Sequence, residues 1–288
     1  IKKYGSKVLM VYGGGSIKRN GIYDKAVSIL KGNDISFCEL SGVEPNPRIT
    51  TVQKGIDLCR KNNVELVLAI GGGSAIDCAK AIAAGYYYNG DPWDIVLDSS
   101  KIKKVLPIAS VLTIAATGSE MDSWAVINNM DTHEKLIAAH PYLAPKFSIL
   151  DPTYTFTVPQ NQTAAGTADI MSHIFEVYFS PTKTAYLQDK MAEALLKTCI
   201  KYGKVALEDP CNYEARANLM WASSLAINGL LTYGKETNWS VHLMEHELSA
   251  FYDVTHGVGL AILTPNWMDY ILISDTLYKF VEYGVNVC

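Results

Sequence analysis

The chain has 288 residues, of which 49% are hydrophobic, and a formal net charge of −4. This length permits a substantial core and suggests about two domains, and the dispersed charge lacks the clustered Lys and Arg of a nucleic-acid-binding surface. No apolar run reaches the roughly 18 residues that a membrane-spanning helix needs. The cysteines show no close pairing, so we expect reduced thiols in a cytoplasmic protein; they are residues 38, 59, 78, 199, 211 and 288.

The first half of the chain alternates apolar runs with amphipathic runs. Strands are predicted at 7–12, 35–40 and 64–70, with further strands in VLPIASVL, SWAVINN and KFSILDP. Helices are predicted in YDKAVSILK, at 48–63 and in AIDCAKAIAAGYYY. Apolar strands that alternate with helices indicate a Rossmann-like parallel sheet covered on both faces, here an α/β domain over residues 1–152.

After residue 152 the pattern changes to long helical repeats. Helices are predicted in TAAGTADIMSHIFEVYF, KTAYLQDKMAEALLKTCIKYGKVALE, YEARANLMWASSLAINGLLTY and around NWSVHLMEHELSAFY. The second half is therefore expected to be an all-α domain over residues 153–288, with a hinge near the prolines at 152 and 159.

The motif GGGS occurs twice, each time after a predicted strand and before a predicted helix. Its candidate ligand-binding residues are Gly14, Gly15 and Ser16 in the first loop and Gly72, Gly73 and Ser74 in the second. Glycines permit close backbone approach, and the N–H groups at a helix start attract phosphate. The G-x-G-x-x-G fingerprint fits neither loop, because Lys18 and Ile76 occupy the third glycine's place. The loops indicate a nucleotide or phosphate ligand, with purely geometric turns as the alternative.

Two further pairs of side chains lie near predicted strand ends. Ser16 and Lys18 could bind an additional phosphate, or they could be a helix N-cap and a surface lysine. Thr113 and Thr117 in LTIAATGSE could bind a ligand or cap a helix.

Asp169 and His173 lie four residues apart in an apolar helical stretch, so both side chains leave the same face. Alone, this pair is typical of a satisfied polar contact in a core. His242, His246 and His256 form a second cluster within fifteen residues, and facing helices commonly build metal sites from such residues. One carboxylate and three imidazoles suit Fe(II) or Zn(II) with an open coordination position, so together the residues favour a metal site.

HLMEH also matches the H-x-x-E-H pattern of zinc peptidases. In that alternative, His242 and His246 bind zinc and Glu245 acts as the base. It leaves both glycine loops and Asp169 without a role, so it is the weaker interpretation.

Several motifs together resemble one known family: GGGSAIDCAKAI, LTIAATGSE, ADIMSHIFEVY and HLMEHELSAFYDVTHGVGLAILTP. The chain resembles the iron-dependent, group III alcohol dehydrogenases. YGGGSIKRNGIYD and GDPWDIV look most like the branch of NADPH-dependent butanol dehydrogenases and aldehyde reductases. The resemblance implies a dehydroquinate synthase-like fold and a helical domain that is incomplete at its C-terminus, since family members are longer.

The resemblance implies roles for individual residues. The family's metal ligands correspond to Asp169, His173, His242 and His256, and His246 corresponds to a histidine near the nicotinamide. Cofactor-binding positions correspond to the two glycine loops together with Asn46, Asp77, Thr113, Thr117 and Lys135. An acidic residue that NAD-preferring members carry at the first loop is absent here, which favours NADP(H).

The implied reaction is metal-dependent interconversion of small alcohols and aldehydes, similar to butanol and butanal, in a homo-oligomer such as a dimer. Phe175, Trp239 and Phe251 flank the histidine motifs and suggest an apolar substrate, although core packing is expected for at least one of them. Another alternative is a non-redox nucleotide-binding member of the same superfamily.

Overall fold

A parallel sheet forms the centre of the first of two compact units in this computed structural model, which describes residues 1–288. The unit comprises Ile1–Thr113 and Ser119–Tyr154. Its strands are β1 (Lys7–Val11), β2 (Ser36–Leu40), β3 (Leu66–Gly71), β4 (Ile108–Leu112), β5 (Trp124–Asn129), β6 (Glu134–Ala139) and β7 (Phe147–Ile149). Five of them form the parallel sheet that the sequence predicts, and their order is β2-β1-β3-β4-β7. Because β3 is buried along its whole length, its sequence is continuously apolar rather than alternating.

The helices of this unit connect its strands. They are α1 (Ser16–Arg19), α2 (Ile22–Lys31), α3 (Ile49–Asn62), α4 (Gly73–Gly85) and α5 (Trp93–Leu97). Every residue of α4 except Ser74 is buried, since small alanines let this helix pack closely against the sheet and its neighbours. The second GGGS motif thus opens a core helix, whereas the first opens the four-residue α1.

SWAVINN contains a strand, as the sequence predicts, but this strand does not join the parallel sheet. β5 pairs antiparallel with β6 in a separate two-stranded sheet. The polar turn between them is too short for a parallel crossover, which needs a dozen or more residues. In this turn the Asp131 N–H donates to Asn129 Oδ1, and His133 takes a positive φ of 53°.

Six long helices build the second unit, which comprises Ile114–Gly118 and Thr155–Cys288. They are α6 (Gln160–Tyr178), α7 (Tyr186–Glu208), α8 (Tyr213–Ile227), α9 (Ser240–Tyr252), α10 (His256–Ile271) and α11 (Leu277–Asn286). The all-α expectation is confirmed, although α10 and α11 were not predicted. The domain boundary at residue 152 stays a prediction. Residues 114–118 precede this boundary but belong to the helical unit.

α6 is the central helix of the second unit and packs against α7, α8, α9 and α10. Its buried apolar residues, among them Ile170, Ile174 and Val177, contribute to one core with Leu196 of α7 and Ala222 of α8. A helix enclosed by neighbours on several sides can carry polar residues only where those residues find partners. None of the helices is both long and apolar enough to cross a membrane.

Candidate metal centre and cofactor-binding loops

Asp169 and His173 occupy one face of α6, one turn apart, and both are buried. His242 comes from the first turn of α9, and His256 is the first residue of α10. The chain passes from α9 to α10 through Asp253, whose φ of +51° ends α9. The structure therefore brings together four side chains from three helices.

The four side chains converge on one point. Asp169 Oδ1 lies 3.6 Å from His173 Nε2, 3.9 Å from His242 Nε2 and 3.8 Å from His256 Nε2. Neighbouring ligands of a tetrahedral ion at 2.0–2.2 Å are separated by roughly 3.3–3.6 Å. The observed separations exceed a hydrogen bond and are close to this spacing, as expected for atoms arranged around a cation.

The protonation chemistry of the cluster also fits a cation. Burial and the neighbouring rings of His242 and His256 hold the pKa of His173 well below its usual range, so its imidazole is neutral. Neutral imidazole is the form that binds metal. His242 Nε2 and His173 Nδ1 are buried and have no hydrogen-bond partner, an unfavourable state for a polar atom. For His242 Nε2, which faces Asp169, a bound cation removes this cost.

Two glutamates bond to the Nδ1 atoms of the histidines, on the side of each ring opposite the cluster. The sequence did not predict this role for either glutamate. Glu176 Oε2 bonds to Nδ1 of His242, and Glu245 Oε2 bonds to Nδ1 of His256. A carboxylate on Nδ1 retains the proton there and leaves the Nε2 lone pair for a metal. Glu176 also accepts the N–H groups of Val241 and His242 at the start of α9, at 2.6 and 3.2 Å.

The sequence contained a signal for Glu176. It lies three residues after His173 and seven after Asp169 in the same apolar stretch, so helical spacing places it on the side of α6 that bears both. A buried carboxylate needs a hydrogen-bond donor. The Nδ1–H group of a metal-binding histidine is such a donor.

The peptidase alternative does not match this arrangement. His242 groups with Asp169 and His173, whereas His246 groups with Glu245 and His256. Glu245 is fully buried and bonds to His256 and to Ser249 Oγ. The two histidines of the H-x-x-E-H pattern therefore do not belong to one ligand group. His246 is buried beside the cluster, with its ring centroid 5.8 Å from that of His256.

The three aromatic residues near the histidine motifs have different environments. The Trp239 ring lies 6.1 Å from the His173 ring and 5.4 Å from the His242 ring, each measured between centroids. Phe175 packs with Phe179 and Tyr283 in the core, and Phe251 is exposed. Trp239 therefore lies against two of the candidate ligands.

The second glycine loop lies at the carboxyl end of β3. Gly72 precedes α4, and Gly73 is its buried first residue. The Ser74 hydroxyl donates to the Pro45 carbonyl, which brings the segment containing the buried Asn46 next to the loop. Thr113 follows β4, and its N–H donates to Gly71 O at 3.0 Å. Predicted cofactor-binding residues from three segments thus meet at one edge of the sheet, where open α/β sheets bind ligands.

The first glycine loop lies at the end of β1 and is more open. Gly15 has a φ of +101°, and an added Cβ at Gly14 or Gly15 would contact nothing. Gly15 is the N-cap residue of α1 and Ser16 is the first residue of the helix, so the N-cap alternative for Ser16 is wrong. Lys18 is exposed, and its ammonium lies over the Tyr23 ring, 4.7 Å from the centroid.

Lys18 belongs to a small polar cluster at this edge. The hydroxyls of Tyr12 and Tyr23 donate to the two carboxylate oxygens of Glu39, at 2.6 and 2.8 Å. A hydrogen bond to Tyr12 raises the pKa of Lys18, so it is cationic at neutral pH. Lys18 therefore offers a cation at this edge, and both oxygens of the adjacent Glu39 carboxylate already accept hydrogen bonds.

Asp77, Lys135 and Thr117 lie in other surroundings. Asp77 is buried in α4, where it accepts the Ser119 hydroxyl and the Val126 N–H. Its carboxylate thereby fixes β5 and the preceding segment to α4. Lys135 is buried on β6, and Thr117 belongs to the segment grouped with the helical unit. Their contacts with a cofactor stay predictions.

Comparison with known proteins gives concordant results. Residues 1–152 match the family described as iron-containing alcohol dehydrogenase, and residues 163–280 match the C-terminal domain of the Fe-containing alcohol dehydrogenase family. NADH-dependent butanol dehydrogenase B of Clostridium acetobutylicum is 84% identical over 287 residues, which are 100% of this chain and 74% of that protein. The NADPH-dependent aldehyde reductase YqhD of Escherichia coli is 42% identical over 90% of this chain and 67% of its own length.

Solved structures agree with the sequence matches. The crystal structure of NADH-dependent butanol dehydrogenase A from Thermotoga maritima superposes with a TM-score of 0.95 at 45% identity. The match covers 98% of this chain and 70% of that one. Both the parallel sheet and the helical half thus have counterparts in one solved protein.

Proposed function

Because this chain belongs to the iron-containing alcohol dehydrogenase family, we propose that it interconverts primary alcohols and aldehydes of about the size of butanol and butanal. The observation that carries this proposal is the convergence of Asp169 and three histidine Nε2 atoms within 3.6–3.9 Å. Relatives at 84% and 75% identity are named butanol dehydrogenases, which supports the substrate class.

We assign Asp169, His173, His242 and His256 as the residues that hold a divalent ion, Fe(II) first and Zn(II) as the alternative. When bound, such an ion polarises the substrate oxygen as a Lewis acid, and a nicotinamide cofactor supplies or accepts the hydride. The protein's own part is to keep the imidazoles neutral and their Nε2 atoms directed inward. Burial of His173 and the carboxylates of Glu176 and Glu245 support this role.

His246 and Trp239 are assigned roles around these ligands. We propose that His246, buried beside His256, accepts the hydroxyl proton when the alcohol is oxidised and donates a proton to the oxygen when the aldehyde is reduced. Trp239, which packs edge-on against the rings of His173 and His242, is proposed to exclude water and to favour an apolar substrate chain.

The sequence favours NADP(H), because the first glycine loop lacks a carboxylate. Relatives divide on this point: two are named NADH-dependent at 84% and 75% identity, and one is named NADPH-dependent at 42% identity. We propose that the chain binds NADP(H) through its first loop and also accepts NAD(H). The cationic Lys18 suits a 2′-phosphate, and the nearby Glu39 carboxylate is occupied by two tyrosine hydroxyls.

Lys18→Ala tests the cofactor proposal. We expect kcat/KM for NADPH to fall about 5-fold, since an exposed ion pair to phosphate contributes about 1 kcal/mol, while kcat/KM for NADH stays within 2-fold. Arg19→Ala is the matched control on α1. Equal losses with both cofactors would contradict a role for Lys18 at the 2′ position.

The main test is turnover of butanal by the purified chain, loaded anaerobically with Fe(II) or in parallel with Zn(II). We expect metal-dependent consumption of NADH and NADPH at 340 nm, abolished in His256→Ala and retained in His140→Ala, a histidine outside the cluster. Cofactor binding without turnover would favour the non-redox alternative. Peptide cleavage that stops in Glu245→Ala would favour the hydrolase.

We also propose a homodimer in the cytoplasm, on the basis of composition and family resemblance. Light scattering during size-exclusion chromatography should give about twice the chain mass of 31.6 kDa. A monomeric mass would remove the dimer from the proposal.

A further inference from the structure

His256 is the least enclosed of the four candidate ligands. Its side chain is 22% exposed, compared with 9% for His242 and 4% for His173. The other two imidazoles lie inside helices, whereas His256 is the first residue of α10 and follows a short turn after α9. Because His256 is less enclosed by neighbouring residues, a hydrogen bond to its ring is needed to fix the orientation of the imidazole.

Glu245 provides this contact from α9. Its Oε2 bonds to Nδ1 of His256, and its Oε1 bonds to the Ser249 hydroxyl one turn further along. Ser249 Oγ also lies 2.9 Å from the Val254 carbonyl in the turn that leads to His256. The carboxylate is fully buried, so it has little freedom to leave this position.

The packing of α10 is matched to Glu245. A Cβ at Gly259 would lie 2.8 Å from Glu245 Cγ and 3.0 Å from Oε1, so a larger residue there would force the Glu245 side chain or α10 to shift. A Cβ at Gly257 would overlap the Ala165 carbonyl of α6. The two glycines thus let the first turn of α10 pack closely against α6 at Ala165 and against α9 at Glu245.

We propose that Glu245 is a positioning residue for the metal: it holds the Nδ1 proton of His256 and keeps Nε2 directed at Asp169 Oδ1. Such a carboxylate also makes the imidazole a better donor, and its loss typically lowers metal affinity 10–100-fold. The inference rests on the proposed ligand set. It gives Glu245 a role that neither the H-x-x-E-H pattern nor the family resemblance assigns.

A competing assignment makes Glu245 a ligand itself. Ligand atoms of Glu245, His246 and His256 all lie within 4.8 Å of one another, so these residues could hold a second ion. The two assignments differ in stoichiometry. A positioning role predicts one ion per chain, because the Nδ1 atom of His256 is occupied by the carboxylate.

The test is metal affinity, measured by competition with a chelator for Zn(II), together with the visible absorption spectrum of the Co(II)-substituted protein. Glu245→Ala should bind Zn(II) 10–100-fold more weakly and show an altered Co(II) spectrum. Glu245→Gln keeps the size and one acceptor oxygen, so it should recover part of the affinity and guards against a folding defect in the alanine variant. Glu247→Ala, an exposed neighbour on α9, should match the parent.

Two results would overturn the positioning role. One is unchanged Zn(II) affinity in Glu245→Ala, and the other is a parent protein that binds two ions, of which Glu245→Ala loses one. The proposed oxidoreductase activity fails separately: a parent that binds one ion, loses affinity in Glu245→Ala and yet does not turn over butanal would retain the role of Glu245 and lose the proposed reaction.

Discussion

The protein buries two polar clusters that differ in how completely their atoms are bonded. The hairpin cluster, in the first unit, consists of Asp77, Lys80, Ser119 and Asp122. The metal cluster, in the second unit, consists of Asp169, His173, His242 and His256. Both lie in largely apolar surroundings, where an unsatisfied polar atom is costly.

The hairpin cluster completes its own bonds. Lys80 is fully buried and donates to Asp122 Oδ1 at 2.6 Å and to the Trp124 carbonyl at 2.7 Å. Both oxygens of Asp77 accept hydrogen bonds. In the metal cluster, by contrast, three Nε2 atoms and a carboxylate oxygen face one another at separations that exceed hydrogen bonds. A closed set of bonds stabilises a fold, whereas acceptor atoms gathered around one point are arranged for an external cation.

The comparison is tested most severely by Asp169→Asn, which removes the charge of the metal cluster at constant size. We expect kcat/KM for butanal to fall about 1,000-fold, equivalent to about 4 kcal/mol in activation free energy, because the ion is no longer held. The urea midpoint of the metal-free protein should change little. A variant that keeps both its metal and its activity would show that this cluster is structural.

Lys80→Met should lower the stability of the protein, because it disrupts the hairpin cluster and leaves the metal cluster intact. Removal of one partner from a buried ion pair leaves an uncompensated carboxylate and costs about 3–5 kcal/mol in the free energy of unfolding. Urea denaturation measures this loss, with Lys61→Met on the surface as the control. A loss below about 1 kcal/mol would mean that the cluster contributes little to the fold.

The pH dependence of stability sharpens the comparison further. Burial raises the pKa of Asp77 from its ordinary 3.8 to about 6, outweighing the opposing effect of Lys80. The folded state therefore favours the protonated form, so the Asp77 contribution is fully present below pH 3.8 and is lost as the pH rises through 6. A shift of this size corresponds to about 3 kcal/mol.

Asp77→Asn should flatten this dependence, since the amide is neutral throughout and still accepts a hydrogen bond. Urea unfolding of metal-free protein between pH 4 and 7 would detect the difference in slope from the parent. If both proteins lose stability in parallel over this range, another group is responsible for the titration.

Local spacing explains why part of the site was predictable. Asp169 and His173 share a helix face because they are four residues apart, and the same argument extends to Glu176. The approach of His242 and His256 to α6 is a tertiary event that spacing alone does not determine. The histidine cluster suggested a shared metal site, and the family resemblance assigned these two histidines as ligands. β1, β2 and β3 were recognisable as apolar runs, whereas the antiparallel pairing of β5 depends on a turn chemistry that the sequence analysis overlooked.

Asp77 illustrates the limit of sequence reasoning. The family resemblance implies a cofactor contact for Asp77, which stays a prediction. The contacts that the structure shows are with Ser119 and Val126, which lie 42 and 49 residues further along the chain. Glu245 was read only as part of a short motif, because its contact with His256 spans a helix end and a turn. Side chains whose partners are distant or lie beyond a break in a helix carry no periodic signal.

The most direct test of the metal centre is anomalous X-ray scattering at the iron edge from crystals of the Fe(II)-loaded protein. Our account predicts a single strong peak per chain, about 2.0–2.2 Å from Asp169 Oδ1 and from the Nε2 atoms of His173, His242 and His256. Fully loaded crystals with no peak between these four atoms, or with the iron bound elsewhere on the chain, would contradict it.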